Sequence, residues 1–207
     1  MQSKINTKNI SFLLIALSIS SFFIGFYLDE NSAGAGTYQG DFKHIWNVLQ
    51  IFLNNDIYTS INHPDYIDSR TPIAYIFHEL FNPFLNNEIN FRRSTFAISL
   101  ITPGLFYYCL KQKFIEADNL LLVLISSTVF LSPYYRTTAY WGLGENYGYI
   151  FLLLTFLSLN SFLQNKSKEK FKICFQLLFI TLFSSLCLYF DQKLIIIPII
   201  CLFKIIN

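Results

Sequence analysis

The sequence predicts an all-α, polytopic integral membrane helix bundle with interfacial helices in a long first extracytoplasmic loop. Three observations carry this. Only 14% of the 207 residues are charged, against roughly 25% in an ordinary soluble domain, while 53% are hydrophobic and 18% aromatic. Five runs of 17 to 19 residues carry no charged side chain, close to the roughly 20 that an α-helix needs to cross about 30 Å of hydrocarbon. Most of the lysines and most of the acids fall in alternate connections between those runs. The same composition sets aside a disordered chain, a collagen-like chain and a nucleic-acid-binding domain.

The predicted spans are 10–28, 94–110, 119–135, 147–163 and 173–190, with a partial one at 194–206. In lipid, each backbone polar group must be satisfied within its own segment, so such runs read as helices. Ile, Phe and Tyr also favour strands. Outer-membrane strands, however, alternate apolar and polar residues, and these runs do not. Run 10–28 exceeds the 7–15-residue apolar region of a signal peptide and further spans follow it, so it reads as a retained first helix. The last stretch is interrupted by Lys204 and is short for a span. The chain is expected to be one transmembrane domain, 1–207, and either the N-terminal part of a longer protein or a truncated reading frame.

Charge sets the expected orientation. With the N-terminus in the cytoplasm, the inner segments hold Lys4, Lys8, Lys111, Lys113, Lys166, Lys168, Lys170 and Lys172, and the short outer loops hold only Arg136 and Lys193. Asp29, Glu30, Asp41, Asp56, Asp65, Asp68, Glu79, Glu88, Glu145 and Asp191 fall outside. The net charge of +2 hides an acidic outer face and a basic inner one. Cys109, Cys174, Cys187 and Cys201 all lie in predicted spans and read as packing residues, with no CxxC or His-pair spacing for zinc.

The outer loop, 29–91, is the one long connection, and long loops in compact proteins are usually functional. Phe42, Ile45, Trp46, Leu49, Phe52 and Leu53 share one face of a helix, with Asp41 at its N-cap. Ile73, Ile76, Phe77, Leu80, Phe81 and Phe84 form a second such pattern, with Thr71 as cap and Pro72 in the first turn. Both helices would lie in the membrane interface or on the bundle. Asp29 and Glu30 leave the first span on the same side, joined to Asp41 by the small residues of 31–40. The second outer loop adds Tyr134, Tyr135, Arg136, Tyr140, Trp141 and Glu145, and the third adds Asp191 and Lys193. Carboxylates that accept a proton, cations that stabilise a departing phosphate and aromatic faces thus gather on one side, as a reaction on a lipid-linked sugar requires.

The arrangement resembles the GT-C class of membrane glycosyltransferases, and the stretch Gly40-Asp41-Phe42-Lys43-His44 looks like the Asp-Glu-x-x-His element of its dolichyl-phosphate-glucose glucosyltransferases. Ser69-Arg70-Thr71-Pro72 is similar to the Thr-Pro-Pro segment of those same enzymes, 132–148 to the second outer loop of the class's bacterial surface-polysaccharide members, and Tyr189-Phe-Asp-Gln-Lys193 to a Tyr-x-Arg-Gln pattern. Phe42 stands where the class has a second acid, and the acidic pair sits instead at Asp29-Glu30. The resemblance implies transfer of a sugar from a polyprenyl-phosphate donor to a glycan or lipid-linked acceptor, in the bacterial inner membrane. Asp41, Asp29 and Glu30 become the candidate catalytic acids. His44, Arg70, Arg136, Glu145 and Lys193 become candidate substrate-binding residues. No cofactor is expected; a divalent metal stays open, although the outer loop has no Asp-x-Asp triplet. Asp41 as a plain helix cap, and Asp29-Glu30 as a plain helix end, are the structural alternatives. A polysaccharide flippase or transporter, a polymerase component, or an inactive truncated membrane protein are the functional ones. Against transport, the five full runs hold no charged side chain at the midplane.

Overall fold

The computed structural model describes residues 7–31, 37–67, 71–164 and 169–206, and among these it is helical with no strand. Helix α1 (Thr7–Tyr27) follows the first predicted run. A π-helical turn, Tyr38–Phe42, leads into α2 (Lys43–Asn54), and short α3 (Ile57–Ile61) and α4 (Ile73–Phe81) complete the long loop. Then come α5 (Glu88–Ser99), α6 (Ile101–Lys113), α7 (Asn119–Ser127), α8 (Pro133–Tyr140), α9 (Glu145–Gln164), α10 (Lys170–Phe190) and α11 (Ile196–Ile206).

Helices α1, α9 and α10 are long and apolar enough to cross a membrane. They expose large apolar side chains, among them Phe12, Leu13, Leu17 and Ile24 on α1 and Phe171, Phe175 and Leu178 on α10. The two other predicted full spans are broken, each at a proline. Run 94–110 divides into α5 and α6 at Leu100. Pro103 has no N–H for the Ser99 carbonyl four residues back, and the Tyr135 hydroxyl donates to that carbonyl instead. Run 119–135 ends as α7, tightens into a 3-10 turn at Thr128–Leu131, and bends by 67° into α8. Pro133 disfavours helical backbone at Ser132, which is extended and caps α8 by accepting from the Tyr135 N–H at 3.4 Å. The connection that follows, 132–146, is thus mostly helix.

Neighbouring helices pack in the order α1, α7, α6, α9, α10, α11. Lys111 donates to Asn119 and Gln164 to Gln112, which puts the ends of α6 and α9 beside the start of α7. The other ends meet at the long loop, where an aromatic core joins Phe22 and Phe26 of α1 to Phe42, Phe91, Phe96, Tyr140 and Trp141. The Phe26 and Phe96 rings stack at 3.9 Å. A smaller cluster joins Leu159, Ile180, Cys187, Ile197 and Cys201. Cys187 and Cys201 are buried there, whereas Cys174 is exposed on α10.

Both amphipathic loop helices form, and one detail of α4 is corrected, its cap. In α2 the expected face is the buried one: Phe42, Ile45, Val48, Leu49 and Phe52. In α4 the residues buried are Tyr75 and His78, while Leu80, Phe81 and Phe84 point outward. Thr71 does not cap α4; its hydroxyl donates to the Tyr189 carbonyl and ties the helix to the end of α10.

Candidate functional site

The expected acids meet different fates. Helix α1 ends in a tight turn, with the Glu30 N–H bonded to the Gly25 carbonyl at 3.0 Å and Asp29 in the left-handed region at φ 53°. Asp29 accepts from Arg92 Nη1 at 2.5 Å. Arg92 also donates to the carbonyls of Phe26 (2.9 Å) and Tyr140 (3.0 Å), and its guanidinium sits 4.5 Å from the ring centroids of both Phe26 and Trp141. Glu30 pairs with Arg136 Nη2. Arg136 is 8% exposed and also donates to the Ser21 hydroxyl and carbonyl at 2.9 and 2.8 Å. Gly25 makes room for this pair, because a Cβ there would collide with Glu30 Oε2, Arg136 Nη2 and Tyr140 Oη. Asp29 and Glu30 therefore staple the end of α1 to α5 and α8.

Asp41 is not an N-cap. The Thr37 hydroxyl caps the π-turn by accepting from the Gly40 N–H at 2.9 Å, and Asp41 lies inside the turn, half-buried. Its carboxylate makes no hydrogen bond or ion pair with a described residue. The position suits a negative charge, since the free N–H groups of a helix start lie beside it. His44 follows, exposed on α2.

The same turn walls a cleft of about 230 Å³ with Phe26, Tyr27, Asp29, Tyr38, Phe42, Glu88, Ile89, Arg92 and Arg93 around it. On its wall Glu88 accepts from the Tyr38 hydroxyl at 2.7 Å and from Lys43 Nζ at 2.6 and 2.8 Å. Those bonds raise the Lys43 ammonium pKa and lower that of the Glu88 carboxyl, the Lys43 contact contributing most to Glu88.

Glu145 and Lys193 come together elsewhere, between α8, α9 and α10. Lys193 Nζ lies 3.6 Å from Glu145 Oε1 and donates to the Tyr134 hydroxyl, a bond that raises its pKa. Asp191, buried at the end of α10, accepts from the Lys193 N–H at 3.0 Å. Gly148 lets α9 pass close to it, since a Cβ would stand 2.8 Å from Asp191 Cβ. Candidate residue Arg70 lies outside the described residues. No group of three or more His, Cys, Asp or Glu side chains that could hold a metal occurs among the described residues.

Sequence reasoning missed a buried polar chain behind the cleft. Asn82 Nδ2 donates to His78 Nδ1 at 3.1 Å and to the Ser94 hydroxyl at 2.8 Å, while its Oδ1 accepts from the Phe84 N–H. The proton on His78 is therefore on Nε2, which donates to the Tyr147 hydroxyl at 3.2 Å. Burial pushes the His78 pKa down to about 3, so the ring is neutral at pH 7. The signal was the spacing of Tyr75, His78 and Asn82, which puts polar groups on one side of α4.

Asp41 has no counter-ion among the described residues and, although it does not itself line the cleft, it shares a turn with Tyr38 and Phe42, which do. Such a carboxylate can take a proton from a hydroxyl, and such aromatic faces can hold a polar ring. Compared with known protein families, with curated proteins and with solved structures, the chain matches none.

Proposed function

We propose that the protein is an integral membrane glycosyltransferase that moves a sugar from a polyprenyl-phosphate donor to a glycan or lipid-linked acceptor. The observation that carries the reading is the state of Asp41. Of the three candidate acids it alone has no ion-pair partner among the described residues, and Tyr38 and Phe42 on either side of it wall the cleft. The apolar exteriors of α1 and α10 support a membrane location, with the long loop outside and the lysine-rich ends in the cytoplasm.

In this reaction the acceptor oxygen attacks the anomeric carbon as the bond from that carbon to the phosphate oxygen breaks. The polyprenyl phosphate leaves with the electron pair, and Asp41 takes the acceptor's proton. Asp29 and Glu30, held by Arg92 and Arg136, position the end of α1 instead of serving as the base. The test is sugar transfer by the full-length protein in proteoliposomes supplied with a labelled polyprenyl-phosphate sugar. Asp41→Asn is expected to lower transfer at least about 100-fold, the lower end of general-base contributions. Full activity in that variant would remove Asp41 from the mechanism.

A further inference from the structure

The cations of the loop end divide unequally. Lys43 is paired with Glu88, Arg92 with Asp29, Arg136 with Glu30, and Lys193 with Glu145. Arg93 has no carboxylate partner among the described residues. It is exposed on α5 and lies on the wall shared by the cleft described above and an adjoining one of about 570 Å³. Among the residues lining the first cleft, the carboxylates Asp29 and Glu88 are taken up by Arg92 and Lys43, so Arg93 is the lining cation left unmatched; Asp41, in the adjoining turn, forms no ion pair with it. Tyr27 and Ile89, 74% and 62% exposed, flank that mouth with apolar surface.

From these features the geometry points to Arg93 as the residue that binds the phosphate of a membrane lipid, with the lipid chain lying along Tyr27 and Ile89 and the head group entering the cleft towards Tyr38. A guanidinium offers a phosphate two parallel N–H donors, and one not already spent on a carboxylate keeps both. This inference rests on the reading of the protein as acting on a polyprenyl-phosphate sugar, and it names the residue that receives the phosphate. Arg136, the sequence's candidate for that contact, is already committed to Glu30 and Ser21.

Binding is measurable without catalysis. The chain has two tryptophans, and the Trp141 ring stands 6.1 Å from that of Tyr38 and under the Arg92 guanidinium, so its emission reports on the cleft. The full-length protein in nanodiscs of uncharged phosphatidylcholine is titrated with polyprenyl monophosphate, with polyprenol of equal length, and with inorganic phosphate. The monophosphate is expected to give a saturable change. Arg93→Ala should weaken it at least about tenfold, Arg93→Lys less, and Lys113→Ala, an equal charge change at the opposite end, not at all. Unchanged affinity in Arg93→Ala would overturn the inference. So would equal binding of polyprenol, which needs no cation, or competition by inorganic phosphate at equal concentration, which would make the site one for free anions. Normal binding by Arg93→Ala leaves the Asp41 assay intact, whereas full transfer by Asp41→Asn leaves this titration intact, so the two readings fail separately.

Discussion

Asp41 and the Asp29–Glu30 pair belong to one loop and carry the same chemistry, but their surroundings are opposite. Asp29 and Glu30 emerge where α1 turns, and each meets an arginine that was already placed by other contacts. Asp41 sits in a π-turn capped by Thr37 and meets none among the described residues. The difference teaches that an acid's place in sequence says little about its duty. A carboxylate locked to a buried guanidinium supports the fold, while one left at a helix start with water access retains its capacity to accept a proton.

That contrast can be broken first at its strongest point. Arg136→Ala leaves Glu30 without its ion pair and removes two bonds to Ser21. It should destabilise the protein by about 3 kcal/mol, at the low end for a buried pair because the Glu30 side chain is 37% exposed. Thermal unfolding in detergent reads this, and Arg136→Ala combined with Glu30→Gln should recover part of the loss. Arg92→Ala removes a pair whose acid is more exposed, at 61%, so a loss of about 2 kcal/mol is expected, most of it from the carbonyl bonds and the stacking on Phe26 and Trp141.

A gentler probe is pH. The His78 pKa is lowered from 6.5 to about 3 in the folded protein, so the unfolded state binds the extra proton between those values. The histidine's contribution is complete above pH 6.5 and is lost as pH falls from 6.5 towards 3. His78→Gln should flatten that part of the stability profile, and an unchanged slope would show that another group titrates there. The smallest effect is expected at Lys43→Ala. Its ion pair with Glu88 is solvent-screened, so the melting temperature should barely move, and less at high salt.

Much of this architecture was readable from residue order. The apolar lengths of α1, α9 and α10 and the i, i+3, i+4 spacing of α2 are local properties. The two broken runs carried their own warning in Pro103 and Pro133, which a count of apolar residues ignores. The rescue of the Ser99 carbonyl by Tyr135 was not readable, because it depends on where α8 lands. Nor were the partners of the acids. Asp29 finds Arg92 and Glu30 finds Arg136 across long sequence separations, and only packing of α1 against the later helices brings them together. The inward face of α4 escaped for a similar reason: Leu80 and Phe81 dominate the apolar pattern, yet the space behind the helix is filled by His78 and its hydrogen bonds to Asn82 and Tyr147.

The most direct measurement sets Asp41→Asn beside Glu30→Gln in the same preparation and records sugar transfer and melting temperature for each. The account predicts that Asp41→Asn lowers transfer at least about 100-fold with the melting temperature unchanged, while Glu30→Gln lowers the melting temperature and leaves transfer by the folded fraction largely intact. The reverse pattern, transfer lost at residue 30 and kept at residue 41, would contradict it.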